Sequence, residues 1–326
     1  MAGLAAGLGL AACAGEPVDQ AREAARAAGP EIVRIRWGSG AEEAGFRPKA
    51  AEIGAEGPSS VAVRGASIVI LDRRNERVIE VNGNAVRVAA EVPRDAEHLA
   101  IGPDGALAAW SPLRATVWLR ARDGQPAGEI TVPRVLRDVT AIHLADSRRV
   151  QLETAFQETM DLGSPRAPLD LSATLRTKRE GAGFLPDGHG VAVRRIDGRA
   201  AELLVMGEGA TSGRESRHAV LRRIRVEGPL DAARIVGSAG SVVCMRIERV
   251  AGAPAVSVER EARCIDAETG ATVLRAALPP PGPYTPHEEL AVGRNPPTLA
   301  AITPQEDGLL VQRWSLPATR STEVAR

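Results

Sequence analysis

The chain has 326 residues, 44% hydrophobic and 25% charged, which is enough to bury a large core and argues against disorder. Its 41 basic and 41 acidic residues cancel, so no overall field recruits nucleic acid or an anionic membrane. Aromatic residues reach only 2%, too few for stacking platforms that hold carbohydrate or single-stranded nucleic acid, and Lys49 and Lys178 are the only lysines, as GC-rich codon usage produces.

The first dozen residues are small and apolar and end in Leu10-Ala11-Ala12-Cys13. A bilayer span needs about 20 such residues, whereas a signal h-region needs roughly 7–15. This run resembles the lipobox of bacterial lipoproteins. The resemblance implies that residues 1–12 are a signal peptide and that the Cys13 thiol carries diacylglycerol. It also implies a further acyl chain, such as palmitate, on the new amino terminus. The address is then the bacterial cell envelope, at the outer membrane or its periplasmic face, with the lipid as membrane anchor. No Lys or Arg precedes Cys13, so a basic n-region is expected upstream of Met1. An Ala/Gly-rich start with an incidental cysteine is the alternative. Glu16 to Gly29 is Ala-rich and polar and stops at Gly29-Pro30, so 13–30 reads as a tether, helical or flexible, and 31–326 as the folded domain.

Ile32 to Trp37 alternates like a strand, and an irregular Gly-containing segment runs on to Gly57. Ser60 to Val88 then breaks into four short strand candidates, around Val61, Ile68 to Leu71, Val78 to Val81 and Val86 to Val88. Four short antiparallel strands in about 40 residues make one propeller blade. The layout strand, Pro-Asp-Gly, strand occurs at Leu99 to Ala108 and again at Gly183 to Ala192, with a degenerate copy at Val139 to Leu144 between them. Later units lie near Ala232 to Val236 and Leu290 to Val292.

Gly57-Pro58, Val61-Ala62-Val63, Ile70-Leu71-Asp72, Asn75 and Arg77-Val78 together resemble an NHL-type propeller repeat. The likeness covers one blade and implies an all-β propeller, with six blades fitting the length best and five or seven as the alternatives. Ile32 to Trp37 would complete the last blade, which contains Gly308 to Leu316. A β-sandwich is the alternative fold.

Cys244 and Cys264 flank a turn at Ala251-Gly252-Ala253-Pro254. A symmetric hairpin sets them opposite one another, with Cβ atoms about 4.5–5.5 Å apart, and an oxidising compartment would join them. Two buried free thiols are the alternative. No further cysteine or nearby histidine completes a metal set.

The chain carries no zinc-protease, P-loop or nucleophile-elbow motif, and His98, His143, His189, His218 and His287 are scattered without ligand spacing. No catalytic residue, metal or cofactor is therefore assigned. Asp72, Asn75, Asp104 and Asp187 read as turn residues. Two segments are candidate partner contacts. Arg214, Arg217, Arg222 and Arg223 form a positive patch around His218, suited to an acidic partner, or a solvated loop. Pro279 to Pro286 is stiff and displays the only tyrosine, Tyr284, or is a rigid connector. The expectation is a lipid-anchored binding or scaffolding module with an envelope protein partner. The alternative is a propeller enzyme, a metal-assisted hydrolase or lyase, working in the central channel.

Overall fold

Six antiparallel sheets stand around one channel in the computed structural model, which describes residues 29–136, 138–145, 148–155, 157–181, 183, 185, 188–207, 219–252 and 256–318. Blade 1 is β2 (Ser60–Arg64), β3 (Ser67–Asp72), β4 (Arg77–Asn82) and β5 (Ala85–Glu91), from channel to rim. Blade 2 is β6 (His98–Ile101), β7 (Leu107–Ser111), β8 (Thr116–Arg120) and β9 (Pro126–Thr131). Blade 3 is β10 (Val139–Leu144), β11 (Val150–Thr154), β12 (Glu158–Ser164) and β13 (Ala167–Pro168), with β14 (Arg179–Glu180) also on β12. Blade 4 is β15 (Gly190–Arg195), β16 (Ala200–Met206) and β17 (Val220–Glu227). Blade 5 is β18 (Ala232–Ala239), β19 (Val242–Ala251), β20 (Ser257–Asp266) and β21 (Thr272–Leu278). Blade 6 is β22 (Leu290–Arg294), β23 (Pro297–Gln305) and β24 (Gly308–Ser315), and its outer strand is β1 (Glu31–Ile35), from the other end of the domain. Val33 lies opposite Val311, so the ring is closed as the alternation of residues 32–37 predicts, although the strand stops at Ile35.

The Pro-Asp-Gly recurrence marks equivalent places. Between β6 and β7, Gly102 N donates to Ala106 O and Gly105 N to Gly102 O, each at 2.9 Å. Asp104 Oδ1 accepts from Ala106 N, and Gly105 takes φ +80°, which favours glycine. Two blades later the same bonds join Leu185 N to His189 O (2.9 Å) and Gly188 N to Leu185 O (3.0 Å). Residues 183 and 185 thus occupy the inner-strand position of blade 4, while Phe184, Pro186 and Asp187 lie outside the described residues. One short helix, α1 (Leu171–Arg176), which sequence reading did not foresee, packs on β12 with Asp170 as its N-cap.

In blade 1 both faces of a middle strand are buried, so β3 carries the continuous apolar run Ile68 to Leu71, and all six of its residues are buried. Five apolar clusters fill the seams between blades 6 and 1, 1 and 2, 2 and 3, 4 and 5, and 5 and 6. Among the described residues no such cluster bridges blades 3 and 4. There Gln157 pairs with the backbone of Val193 through two bonds of 3.1 Å, and Thr159 Oγ1 donates to Gly181 O at 2.6 Å.

The irregular segment 36–57 folds over the face at which the inner strands begin. Asp72, fully buried, accepts from Gly45 N (3.0 Å), Asn75 Nδ2 (2.8 Å) and Arg77 Nε (3.0 Å). Arg77 in turn donates to the carbonyls of Ser39, Gly40 and Glu43, and Asn75 to that of Gly38. Asp72 and Asn75 are thus more than turn residues; they fasten this segment to blade 1. Trp37 fastens it to blade 6 through Gln305 O (3.0 Å) and stacks on Phe46 with centroids 4.8 Å apart.

Cys244 and Cys264 face each other across β19 and β20 and form a disulfide. With a sequence separation of 20, the chain-entropy model gives about 3 kcal/mol of stabilisation, less whatever the hairpin already restricts. The Cys244→Ala/Cys264→Ala protein should therefore unfold at lower urea, and hydrogen exchange should quicken first in β18–β21. Separately, Asp72→Ala removes the common acceptor of three bonds and should expose 38–56 to limited proteolysis while the six-sheet circular dichroism spectrum persists.

Candidate functional site

The six inner strands enclose a channel of about 870 Å³. Several polar residues converge where those strands begin. Ser60 opens β2, His98 opens β6, and Glu288 precedes β22, bridged to Ser60 in parallel through Val61 N to Glu288 O (3.2 Å) and Glu288 N to Ser59 O (3.0 Å). One Glu288 oxygen accepts from the Ser60 hydroxyl and stands 3.4 Å from Leu99 N; the other lies 3.5 Å from His98 Nδ1. Blades 6, 1 and 2 therefore share one carboxylate.

Burial opposes charge at His98, yet the Glu288 carboxylate outweighs it and holds the ring above its ordinary value of 6.5. Burial likewise opposes charge at Glu288, but His98 and the Ser60 hydroxyl hold it below the usual 4.5. His287, its ring 5.7 Å from that of His98, is pushed down by burial, with the charge of His98 acting in the same direction. Glu288 sits between Ser60 and His98, so the imidazole does not take up the hydroxyl proton. That is the geometry of a buried strut rather than of an activated nucleophile.

Two further carboxylates face the channel, and each is engaged. Glu153 lies 3.1 Å from His143 Nε2 and 3.9 Å from Arg234, whose Nη2 donates to Thr140 O at 2.8 Å. Arg234 belongs to blade 5 and Thr140 to blade 3, so this side chain reaches past the short inner strand of blade 4. Glu289 accepts from Arg246 (3.2 Å) and from Arg260, which also donates to Pro279 O. Among the described residues no group of three or more His, Cys, Asp or Glu side chains is arranged to hold a metal ion.

Of the residues singled out in the sequence, Cys13, Arg214, Arg217 and His218 lie outside the described residues. Arg222 and Arg223 are on β17, the rim strand of blade 4, not in a loop. Arg222 donates to Ala267 O, and Arg223 pairs with Glu202 at 3.3 Å, where Arg194 and Arg223 hold the carboxyl below its usual range. Tyr284 turns inward. Its ring lies 6.1 Å from Phe46 and over Gly57, where a Cβ would strike it, and burial raises its pKa. Ser60, His98, Glu153, Arg234 and Glu288 carried no sequence signal, because they meet only when separate blades come together.

No family model matches the chain, and no curated protein matches it. Solved structures do. A streptogramin B lyase is 10% identical, covering 83% of this chain and 97% of its own at a TM-score of 0.44. A putative gluconolactonase is 13% identical over 88% of this chain and 96% of its own, TM-score 0.44. A protein of unknown function from Bacteroides caccae is 13% identical over 68% and 82%, TM-score 0.41. At these identities the likeness is one of architecture.

The Glu288–His98 pair gives a signed pH prediction. The raised His98 contributes stability that is present below about 6.5 and lost as pH rises through its folded value. The lowered Glu288 contributes stability present above about 4.5 and lost as pH falls through its folded value. His287 works the other way, disfavouring the folded state as it is forced to protonate. The stability gap between wild type and Glu288→Gln should therefore reach about 2–3 kcal/mol between these limits and narrow on both sides. Urea melts from pH 4 to pH 9 measure it; a gap independent of pH would contradict the pairing.

Proposed function

We propose that this protein is a lipid-anchored, NHL-like propeller of the bacterial cell envelope that works as a binding module. The observation that carries the binding role is that, among the described residues, the channel carboxylates Glu153, Glu288 and Glu289 are each engaged by His or Arg neighbours rather than converging as acids poised for chemistry. The anchor rests on the likeness of Leu10 to Cys13 to a lipobox, and the Cys244–Cys264 disulfide supports an oxidising compartment.

The placement of the ends supports the same reading. β1 begins beside the end of β24, near Leu316, whose N–H donates to Pro297 O, on the face opposite segment 36–57. A tether of residues 13–30 spans up to roughly 60 Å when extended. Anchored there, the domain turns segment 36–57 away from the membrane, toward an envelope partner.

Cys13→Ser should move the protein from the membrane fraction to the soluble fraction, or leave it unprocessed, and should abolish labelling by an alkyne fatty acid. Unchanged fractionation with no label on the wild-type protein would overturn the anchor.

A further inference from the structure

The chain is neutral, but its channel is not. Among the described residues six arginines line the cavity against the three glutamates 153, 288 and 289, and two of the six, Arg64 and Arg246, also pair with Glu80 and Glu248. Those glutamates are held by neighbours at the channel wall, and among the described residues Arg234 has its nearest carboxylate 3.9 Å away and donates one hydrogen bond, to Thr140 O. Arg179, from β14, lines the same cavity, and His143 stands beside Glu153, about a third exposed. The positive wall lies inside a narrow space, where protein on all sides screens charge less than open water does.

We infer that the channel is a binding site for a small organic anion, with Arg234 as its principal contact. A cavity of about 870 Å³ falls in the size range of small-molecule pockets. The guanidinium fork of Arg234 matches a carboxylate or a phosphate ester, which share planar or tripodal oxygens and negative charge. Apolar residues of the inner strands, Leu99, Ile142 and Ile235 among them, line the same cavity and suit the carbon skeleton of such a ligand. The inference deepens the binding-module reading by naming a ligand class, and it rests on the channel alone, not on the lipid anchor.

The test uses the full chain carrying isotope-labelled histidine, with the His143 ring resonance assigned through His143→Gln. Citrate and glycerol 3-phosphate are titrated separately against chloride at constant ionic strength, so that the two arms tell carboxylate from phosphate. A saturable movement of the His143 signal with at least one of them is expected. Its midpoint should weaken about tenfold or more in Arg234→Gln. Arg179→Gln, a change on an exposed side chain, should weaken it less and keeps the test open if Arg234→Gln unfolds. No saturable movement with either anion up to about 50 mM, or midpoints unchanged in the folded variants, would overturn the site. Cys13→Ser protein should bind as the wild type does, so failure of the anchor and failure of the anion site give different results.

Discussion

Everything in this molecule depends on closing the ring. Blade 6 has only three strands of its own, and its outer place is taken by β1, which pairs with β24 from Glu31 opposite Arg313 to Ile35 opposite Leu309. Without that strand, β24 would expose an unpaired edge, and Ile35, fully buried against Leu309 and Val311, would lose its place in the core between blades 6 and 1. The Glu288 carboxylate completes the closure on the channel side, where it joins the end of the chain's last turn of the ring to the first two blades. Segment 36–57, which follows β1, then spans the same seam from above through Asp72 and Trp37.

The seams are not equal. Five are filled by aliphatic side chains, whose contribution scales with the apolar area removed from water. Among the described residues, the seam between blades 3 and 4 carries instead the hydrogen bonds of Gln157 and Thr159 and the reach of Arg234 across it. Net hydrogen bonds contribute only about 1 kcal/mol each.

How much of this could be read from the sequence follows from the range of each interaction. The Pro-Asp-Gly turns were legible because the reason for Gly105, a positive φ within one hairpin, is local, and the bonds at Gly102 and Leu185 show that the recurrence marked true equivalents. Cys244 and Cys264 were legible because a hairpin's register is symmetric about its turn. The closing strand showed itself through alternation. Ser60, His98 and Glu288 did not, since they come from three blades and no spacing relates them. Asp72 and Asn75 were seen but undervalued: a local turn explains their residue type, whereas their burial beneath segment 36–57 is a tertiary fact. The inward turn of Tyr284 over Gly57 is of the same kind.

Native-state hydrogen exchange at β1 tests the closure most directly. If β1 closes the ring as an integral strand, the bonded amides of residues 31–35 and those of their β24 partners should exchange only through global unfolding, with the same denaturant dependence as the amides of β23. Exchange of β1 by local fraying, at a free energy far below that of β23 and with the rest of the ring still protected, would contradict the account.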